Sequence, residues 1–308
     1  MADNQLTDMI AFVRIAETGS LSAAAVELDQ SLPVVSRRLA RLEERLGVRL
    51  INRTTRQLSL TDEGTAFHMR CARILGDIEE AEAEVSKGRE VAVGLLRMTS
   101  TFAFARRKLA PLLYEFEAQH PGLRVHLDAS DRIVNLVDEG FDIAIRFGPM
   151  SDSSLIARAI AKNAYVMCAS PTYLDRRGRP GEIDDLLSHE CILFGSPPGS
   201  RWTFEDGSSI KVRGDLTTND GDLAHFWALE GAGIVLKSIW DVYDDIHQRR
   251  LEIVLPGTQP PASPLNAVFP HARLATARVR LILDFLTRRL RAQWDECIAP
   301  LVASRVGK

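Results

Sequence analysis

Residues 19 to 64 read GSLSAAAVELDQSLPVVSRRLARLEERLGVRLINRTTRQLSLTDEG, and the run divides itself by small residues, a proline and three glycines. A helix is predicted from Ser20 or Ser22 through Ala23, Ala24 and Ala25 to Leu28, its small side chains allowing another helix close approach. Ser31 can cap the next helix, and Pro33 is tolerated in its first turn because the amides there have no intrahelical partner. On that helix Val35, Leu39, Leu42 and Leu46 fall at i, i+4, i+7 and i+11 and face a core. Pro33, Ser36, Arg37, Ala40 and Arg41 then share a different face that is small, polar and basic. Gly47 ends the helix, and VRLIN and QLSL read as two short strands around a tip of Arg53, Thr54, Thr55 and Arg56. This is two helices followed by a wing.

Outward on the N-terminal side, Leu6, Met9, Ile10, Val13 and Ala16 recur at helical spacing and stop at Gly19. On the other side a helical pattern without proline runs from Asp62 to about Lys87. Its Phe67, Cys71, Ile74, Ile78, Ala81 and Val85 are spaced 4, 3, 4, 3, 4, the alternation of a heptad seam, with Glu79, Glu80, Glu82 and Glu84 as acidic flanks. The pattern predicts that this helix pairs with a second copy of itself; the alternative is a lone helix lying on its own domain.

The formal net charge of -3 conceals a segregation. Residues 31 to 60 hold seven arginines and two glutamates (+5), whereas residues 61 to 90 hold four basic and eight acidic residues (-4). A local basic segment is what phosphate contact requires, because each neutralised phosphate releases condensed counterions.

Beyond Gly88 the pattern changes. GLLRMTS, a helix from Phe102 to about His120, LRVHLD, a short helix through Val134 to Glu139, and FDIAIRF alternate as β-α-β-α-β, which predicts a parallel sheet. Further strands are expected at AYVMCAS, CILF, IKVRGDL and GIVLK, with helices from about Asp222 to Gly231 and from Ala277 to about Trp294. Length (308 residues) and composition (45% hydrophobic, 26% charged) predict two or three globular domains. The N-terminus carries early acids and no long apolar run, so neither a signal peptide nor a membrane anchor is expected and a cytoplasmic location follows. Cys71, Cys168, Cys191 and Cys297 are scattered, which predicts no disulfide scaffold and no metal site; idle thiols are expected, with a Cys168–Cys191 redox pair as the alternative. There is no GxSxG, Walker A loop, HExxH or GxGxxG, and no catalytic residue, cofactor or enzymatic activity is expected. Single histidines such as His126 and His225 are read as structural, and a transport-type binding protein would leave the basic head unexplained.

The run from Gly19 to Gly64 resembles the DNA-binding domain of LysR-type regulators, including Ser22, Ala23, Ala24, Ala25, Leu28, Pro33, Ser36, Leu42, Glu43, Leu46, Gly47, Arg53, Leu60, Thr61 and Gly64. It departs from the family habit at Leu32, often Gln, and Val34, often Ala; the first removes an amide that could reach a base edge. DRIVNLVDEGFDIAIRFG, CASPTYL and HFWALEGAGIVLK resemble the effector domain of the same family. The resemblance implies a winged helix-turn-helix over 1–61, a linker and dimerisation helix over 62–88, and over 89–308 a two-lobed α/β domain like a type 2 periplasmic binding protein. Lobe 1 would hold about 89–162 plus 267–308, and lobe 2 about 163–266. The fold class expected is therefore multidomain, an α-rich head followed by an α/β body.

The resemblance also implies roles. Ser31, Leu32, Pro33, Ser36 and Arg37, with Arg38 and Arg41, would face the major groove, and Arg53 and Arg56 would meet phosphates or the minor groove. Arg38 and Arg41 have a solvated helix face as their alternative. In the body Thr99, Ser100 and Thr101, Phe147 and Gly148, and Asn219 and Asp220 would border the cleft, with helix capping as the alternative for the first group, and Arg201 would pair an effector carboxylate, with a loop surface charge as its alternative. Implied partners are promoter DNA, RNA polymerase, a homodimer or homotetramer of the chain, and a small-molecule effector, a small carboxylate by similarity to regulators of organic and hydroxy acid metabolism.

Overall fold

The computed structural model describes residues 2–53, 58–87, 93–148, 155–195, 197–258, 260–273 and 276–306. These form two compact units, a head of residues 1–95 and a body containing residues 96–137 and 141–308.

The head contains α1 (Ala2–Thr18), α2 (Leu21–Glu27), α3 (Leu32–Leu46), β1 (Ile51–Arg53), β2 (Leu58–Leu60) and α4 (Asp62–Lys87). Gly19 takes φ +64°, which turns the chain out of α1, and the Ser20 hydroxyl accepts the Ala23 amide at 3.3 Å to open α2. Ser31 occupies the N-cap position of α3, but its hydroxyl makes no capping bond there; the first amides are taken by its backbone carbonyl. Gly47, at φ +71°, closes α3 and donates to the Glu43 carbonyl. The Glu43 side chain then accepts the amides of Leu50 (2.8 Å) and Ile51 (3.2 Å), pinning the wing to the helix that precedes it. Val35, Leu39 and Leu42 are fully buried with Phe12, Ile15, Ala24, Leu50 and Ile51, as their spacing predicts. Leu46 departs from that expectation at 38% exposed, since it stands in the last turn, where the chain leaves the core at Gly47.

Two members of the expected heptad seam belong to this core. Cys71 is buried in it and Phe67 packs on it, the Phe67 ring 5.7 Å from that of Phe12. The first turns of α4 are therefore bound to their own head. Ile74, 42% exposed, and the half-buried Ile78 face outward, while the side chains of Ala81 and Val85 lie outside the described residues.

The body begins with β3 (Gly94–Ser100), α5 (Phe102–Phe104), a π-helical turn at Ala105–Leu109, α6 (Ala110–Gln119), β4 (Leu123–Ala129), β5 (Ile143–Phe147) and β6 (Leu155–Ala161). It continues through β7 (Tyr165–Ala169), α7 (Pro171–Arg177), β8 (Cys191–Phe194), β9 (Arg201–Thr203), β10 (Ser209–Lys211) and β11 (Thr217–Thr218). The remainder is α8 (Gly221–Leu229), β12 (Ile234–Ser238), α9 (Ile239–His247), β13 (Glu252–Val254), β14 (Leu265–Pro270), α10 (Ala277–Gln293), a second π turn at Trp294–Ile298 and α11 (Ala299–Val306).

Two five-stranded sheets result, ordered β4-β3-β5-β14-β6 and β11-β8-β12-β7-β13, and each is the floor of one lobe. The purely parallel sheet expected from the alternating elements is corrected to a mixed one. β3 and β5 are parallel, but β14 runs antiparallel to β5 and to β6 because the chain crosses to the second lobe after β6 and returns as β14. The helix expected through Val134 to Glu139 is a series of turns; Val134 and Leu136 reach the core with Phe141 and Val268 without needing one. IKVRGDL splits between the hairpin strand β10 and a connection to β11. Across the lobes, Arg107 of the first π turn reaches Asp222 of α8 (3.3 Å) and Asp245 of α9 (3.6 Å), and Lys108 reaches Asp244 (3.2 Å).

Candidate functional site

In the head, the buried stripe of α3 leaves Ser31, Leu32, Pro33 and Arg37 exposed on the opposite side, with Ser36 half-buried beside them; Leu32 is 44% exposed. The Arg37 Nε donates to the Pro33 carbonyl one turn back at 3.2 Å, which lays the guanidinium along the outer face of the helix. Two arginines of the expected set are engaged inward. Arg41 grips the nearly buried Asp8 of α1 through two nitrogens, Nε at 2.8 Å from Oδ2 and Nη2 on Oδ1, and this contact holds its pKa above the ordinary value. Arg38 donates to the Thr7 carbonyl at 3.4 Å. Arg41, expected on the groove face with a solvated helix face as the alternative, ties α3 to α1 through the buried Asp8 while half of its own side chain stays exposed. The side chain of Arg53 and all of Arg56 lie outside the described residues.

Gly64 explains why the wing and α4 meet so closely. A Cβ there would stand 1.9 Å from the Leu50 carbonyl oxygen. That same carbonyl accepts the Thr61 amide, and the Thr61 hydroxyl accepts the Gly64 amide (2.9 Å) while donating to the Arg49 carbonyl (2.8 Å). The wing's base is thus bonded to the start of the long helix within the head.

In the body a cavity of about 340 Å³ opens between the lobes. Ile133, Val134, Leu136, Phe147, Phe194 and Leu236 give it an apolar lining, and four charged groups enter it: Asp131, Arg146, Lys237 and Asp241. A few charges in an apolar cleft is the composition of a small-molecule site. Arg146 donates to the Ser130 carbonyl (2.6 Å) and to the Thr99 hydroxyl (3.3 Å); burial pulls its pKa down, opposed by the carboxylates of Asp131 and Asp128. Lys237, buried, donates to Asp241 (2.8 Å) and to the Gly221 carbonyl (3.1 Å), 5.5 Å from the centre of the Phe194 ring. The other Asp241 oxygen, Oδ1, is buried with no hydrogen-bond partner among the described residues, so the cleft offers an acceptor in need of a donor. Burial, reinforced by the Asp241 charge, raises the Tyr165 phenol and keeps it neutral.

Of the residues expected at the cleft, Thr101 and Phe147 line it. Thr99 and Ser100 do not; both are fully buried, Ser100 donating to the Ile145 carbonyl (3.0 Å). Gly148 faces away, its φ of +95° turning the chain and its carbonyl held by Asn266 (2.8 Å). Asp220 caps α8, accepting the amides of Asp222 and Leu223, and Asn219 is exposed. Arg201 sits on the β9–β10 hairpin, bonded to Ser209 at 3.1 Å, and is a surface residue away from the cleft lining. Sequence reasoning missed Asp131, Arg146, Lys237 and Asp241. The available signal was a cation inside an apolar strand, Arg146 in FDIAIRF and Lys237 in GIVLK, since such residues are rarely buried without a purpose.

Cys71, Cys168 and Cys191 are buried. Burial pushes Cys168 and Cys191 up to about 12 and Cys71 to about 11, so all three stay protonated near neutrality. His225 is fully buried with its Nε2 2.8 Å from Asp245, a structural use.

Comparison with known proteins gives two matches along the chain. A family model described as "Bacterial regulatory helix-turn-helix protein, lysR family" matches residues 6–65, and one described as "LysR substrate binding domain" matches residues 89–291. The chain is 37% identical to the HTH-type transcriptional regulator DmlR of Escherichia coli (strain K12) over 286 residues, 91% of this chain and 93% of that one. It is also 37% identical to the HTH-type transcriptional regulator CrgA of Neisseria meningitidis serogroup C (strain 8013), covering 92% of this chain and 96% of the relative. The solved structure of CrgA from Neisseria meningitidis superimposes over 92% of this chain and 98% of its own with a TM-score of 0.61 at 36% identity. Full-length AphB of Vibrio cholerae, a virulence activator, does so over 91% and 98% with a TM-score of 0.55 at 26% identity. The relatives are transcriptional regulators, not enzymes.

Proposed function

The chain belongs to the LysR family of DNA-binding transcriptional regulators, with a C-terminal domain for effector sensing, and from that premise we propose how it divides the work. The outer face of α3 reads the major groove: Arg37 and Ser36 supply donors to base edges or phosphates, and Leu32 and Pro33 offer apolar contact to thymine methyls. The observation that supports this most is the two-sidedness of α3, whose Val35, Leu39 and Leu42 are sealed in the core while Leu32, Pro33 and Arg37 stand free. Arg53 and Arg56 extend the contact from the wing, and Arg38 and Arg41 hold the helix at its angle.

The inter-lobe cleft takes the effector. Arg146, Lys237 and the helix N-termini at Phe102 and Gly221 favour an acid group, and the apolar lining favours a compact carbon skeleton, so a small carboxylate is the class proposed. Effector binding shifts the arrangement of paired heads through its differential affinity for two lobe arrangements. The chain works as a homo-oligomer joined through the outward residues Ile74 and Ile78 of α4, in the cytoplasm and on promoter DNA, where RNA polymerase is the partner that transcription regulation requires. Among the described residues no single helix is long and apolar enough to cross a membrane.

Selection of bound duplexes from a pool of genomic fragments, read at several salt concentrations, tests the head; retention of no fragment at low salt contradicts the assignment. For the cleft, a thermal-shift screen of small mono- and dicarboxylates identifies ligands. Ile133→Trp then tests the place, since Ile133 stands at the cavity wall, 94% exposed, and a larger ring there crowds the cleft without entering the core. A ligand whose shift survives Ile133→Trp binds elsewhere.

A further inference from the structure

Asp131, in the loop after β4, places its carboxylate between the lobes. Oδ1 accepts the Phe102 amide at 3.0 Å, the first of the helical run that follows β3, and Oδ2 accepts the Gly221 amide at 3.0 Å, the first of α8. One helix belongs to each lobe. The N-termini of the two helices therefore converge on one acid group, each giving it its first amide and the positive end of its dipole, while Asp220 takes the next amides of α8. The start of α8 is closely packed: a Cβ on Gly221 would meet the Lys237 Nζ at 2.9 Å and lie in ordinary contact, 3.7 Å, with Asp131 Oδ2. The cavity surrounds this carboxylate, and Arg146 and Lys237 line the same cavity.

We propose that Asp131 is a resident occupant of a carboxylate subsite, a group of the chain's own that fills the position between the two helix N-termini, joins the lobes without ligand, and must be displaced by any effector that brings its acid group there. The consequence is selectivity. A single weak carboxylate competes at the effective concentration of a tethered group, which lies in the millimolar range or above, and loses. An effector succeeds only if further contacts, such as a donor for the buried Asp241 Oδ1 or apolar fit against the lining, add to its acid group. Displacement also removes a side chain bonded to both helix starts, so occupancy and this join between the lobes change together. The biological use of this exchange rests on the cleft being the effector site; the subsite itself does not.

The experiment is chemical rescue in the full chain. Asp131→Ala removes the carboxylate, and sodium formate supplies one of nearly the same size, with sodium chloride at equal concentration as the reference. Asp131→Ala should melt lower than wild type in chloride and should regain about 3 °C in formate at tenfold saturation, with a saturable dose dependence. Wild type and Asp131→Asn, which keeps an oxygen in the position, should show no formate response beyond that of chloride. Equal formate responses in all three chains overturn the proposal, as does an Asp131→Ala chain that is folded and unresponsive, or one that stays unfolded in formate and chloride alike. Because no natural effector is used, this result is independent of the Ile133→Trp test of the cleft.

Discussion

Gly64→Ala sets two effects against each other whose sizes the structure allows to be ranked. Gly64 lies in the first turn of α4, and alanine in a helix is favoured over glycine by about 1 kcal/mol. The added methyl carbon, however, would stand 1.9 Å from the Leu50 carbonyl oxygen, more than 1 Å inside the 3.0 Å that such atoms keep from one another, and 2.8 Å from the carbonyl carbon. The obstacle is backbone, held by the Thr61 amide and by Glu43 through the Leu50 amide, so neither side can swing away as a flexible side chain would. Overpacking of this kind costs typically 1–3 kcal/mol and more when backbone must shift; a net loss of about 2 kcal/mol or more follows. A domain of this size has on the order of 5–14 kcal/mol in all. Gly76 is the internal reference: it lies in the same helix with nothing within 4 Å of its virtual Cβ, and Gly76→Ala should stabilise by about 0.5–1 kcal/mol. Hydrogen exchange of peptides from α1 and α3 reads the head, while the four tryptophans, all in the body, report an unchanged second unit. If Gly64→Ala protects the head as well as Gly76→Ala does, the bonded junction between wing and long helix is wrongly described.

Two further outcomes follow from the packing and the charges. Burial pushes the Asp245 carboxyl up, but the His225 contact and then the charges of His225, Arg250 and Arg107 outweigh it and hold the folded value below the ordinary one. Its contribution is present above the unfolded value of about 4 and is lost as pH falls through the lower folded value. Asp245→Asn should accordingly be less stable than wild type at pH 7 and lose less on acidification from pH 4 downward, in denaturant titrations at each pH; parallel pH profiles would contradict this. Ile74→Asp with Ile78→Asp should convert the oligomer to a smaller species in sedimentation velocity with the head's circular dichroism intact, because neither residue belongs to the head core; an unchanged sedimentation coefficient would rule out α4 as the joining surface.

The head was largely legible in sequence because its determinants are local. Helical spacing found Val35, Leu39 and Leu42, and the turn glycines Gly19 and Gly47 stand at positive φ where the helices stop. What sequence spacing could not reveal was competition between partners: Arg41 looks like Arg37 along the helix, and only the fold brings Asp8 to one of them. The heptad likewise runs unbroken through Phe67 and Cys71, yet the fold packs both against the head's own core, the Phe67 ring beside Phe12. In the body, the ends of β3 and β5 bring Thr101 and Phe147 into the cavity lining, whereas the neighbouring hydroxyl of Ser100 and carboxylate of Asp220 are spent on backbone bonds. Asp131 escaped notice for a topological reason. Its importance depends on the return of α8 to it, 90 residues later in the chain, and no local pattern records that.

The most direct test of the account is a salt titration of duplex binding by fluorescence anisotropy, comparing wild type, Arg37→Ala and Arg41→Ala. If the outer face of α3 lies against DNA, wild-type affinity falls linearly in log–log form with salt. Arg37→Ala then weakens binding and, where Arg37 meets a phosphate, reduces the slope by about 0.9, whereas Arg41→Ala lowers the melting temperature of the head and leaves the slope unchanged. Equal affinities and slopes for wild type and Arg37→Ala, or a slope lost on removing Arg41 instead, would mean that DNA is held by another surface.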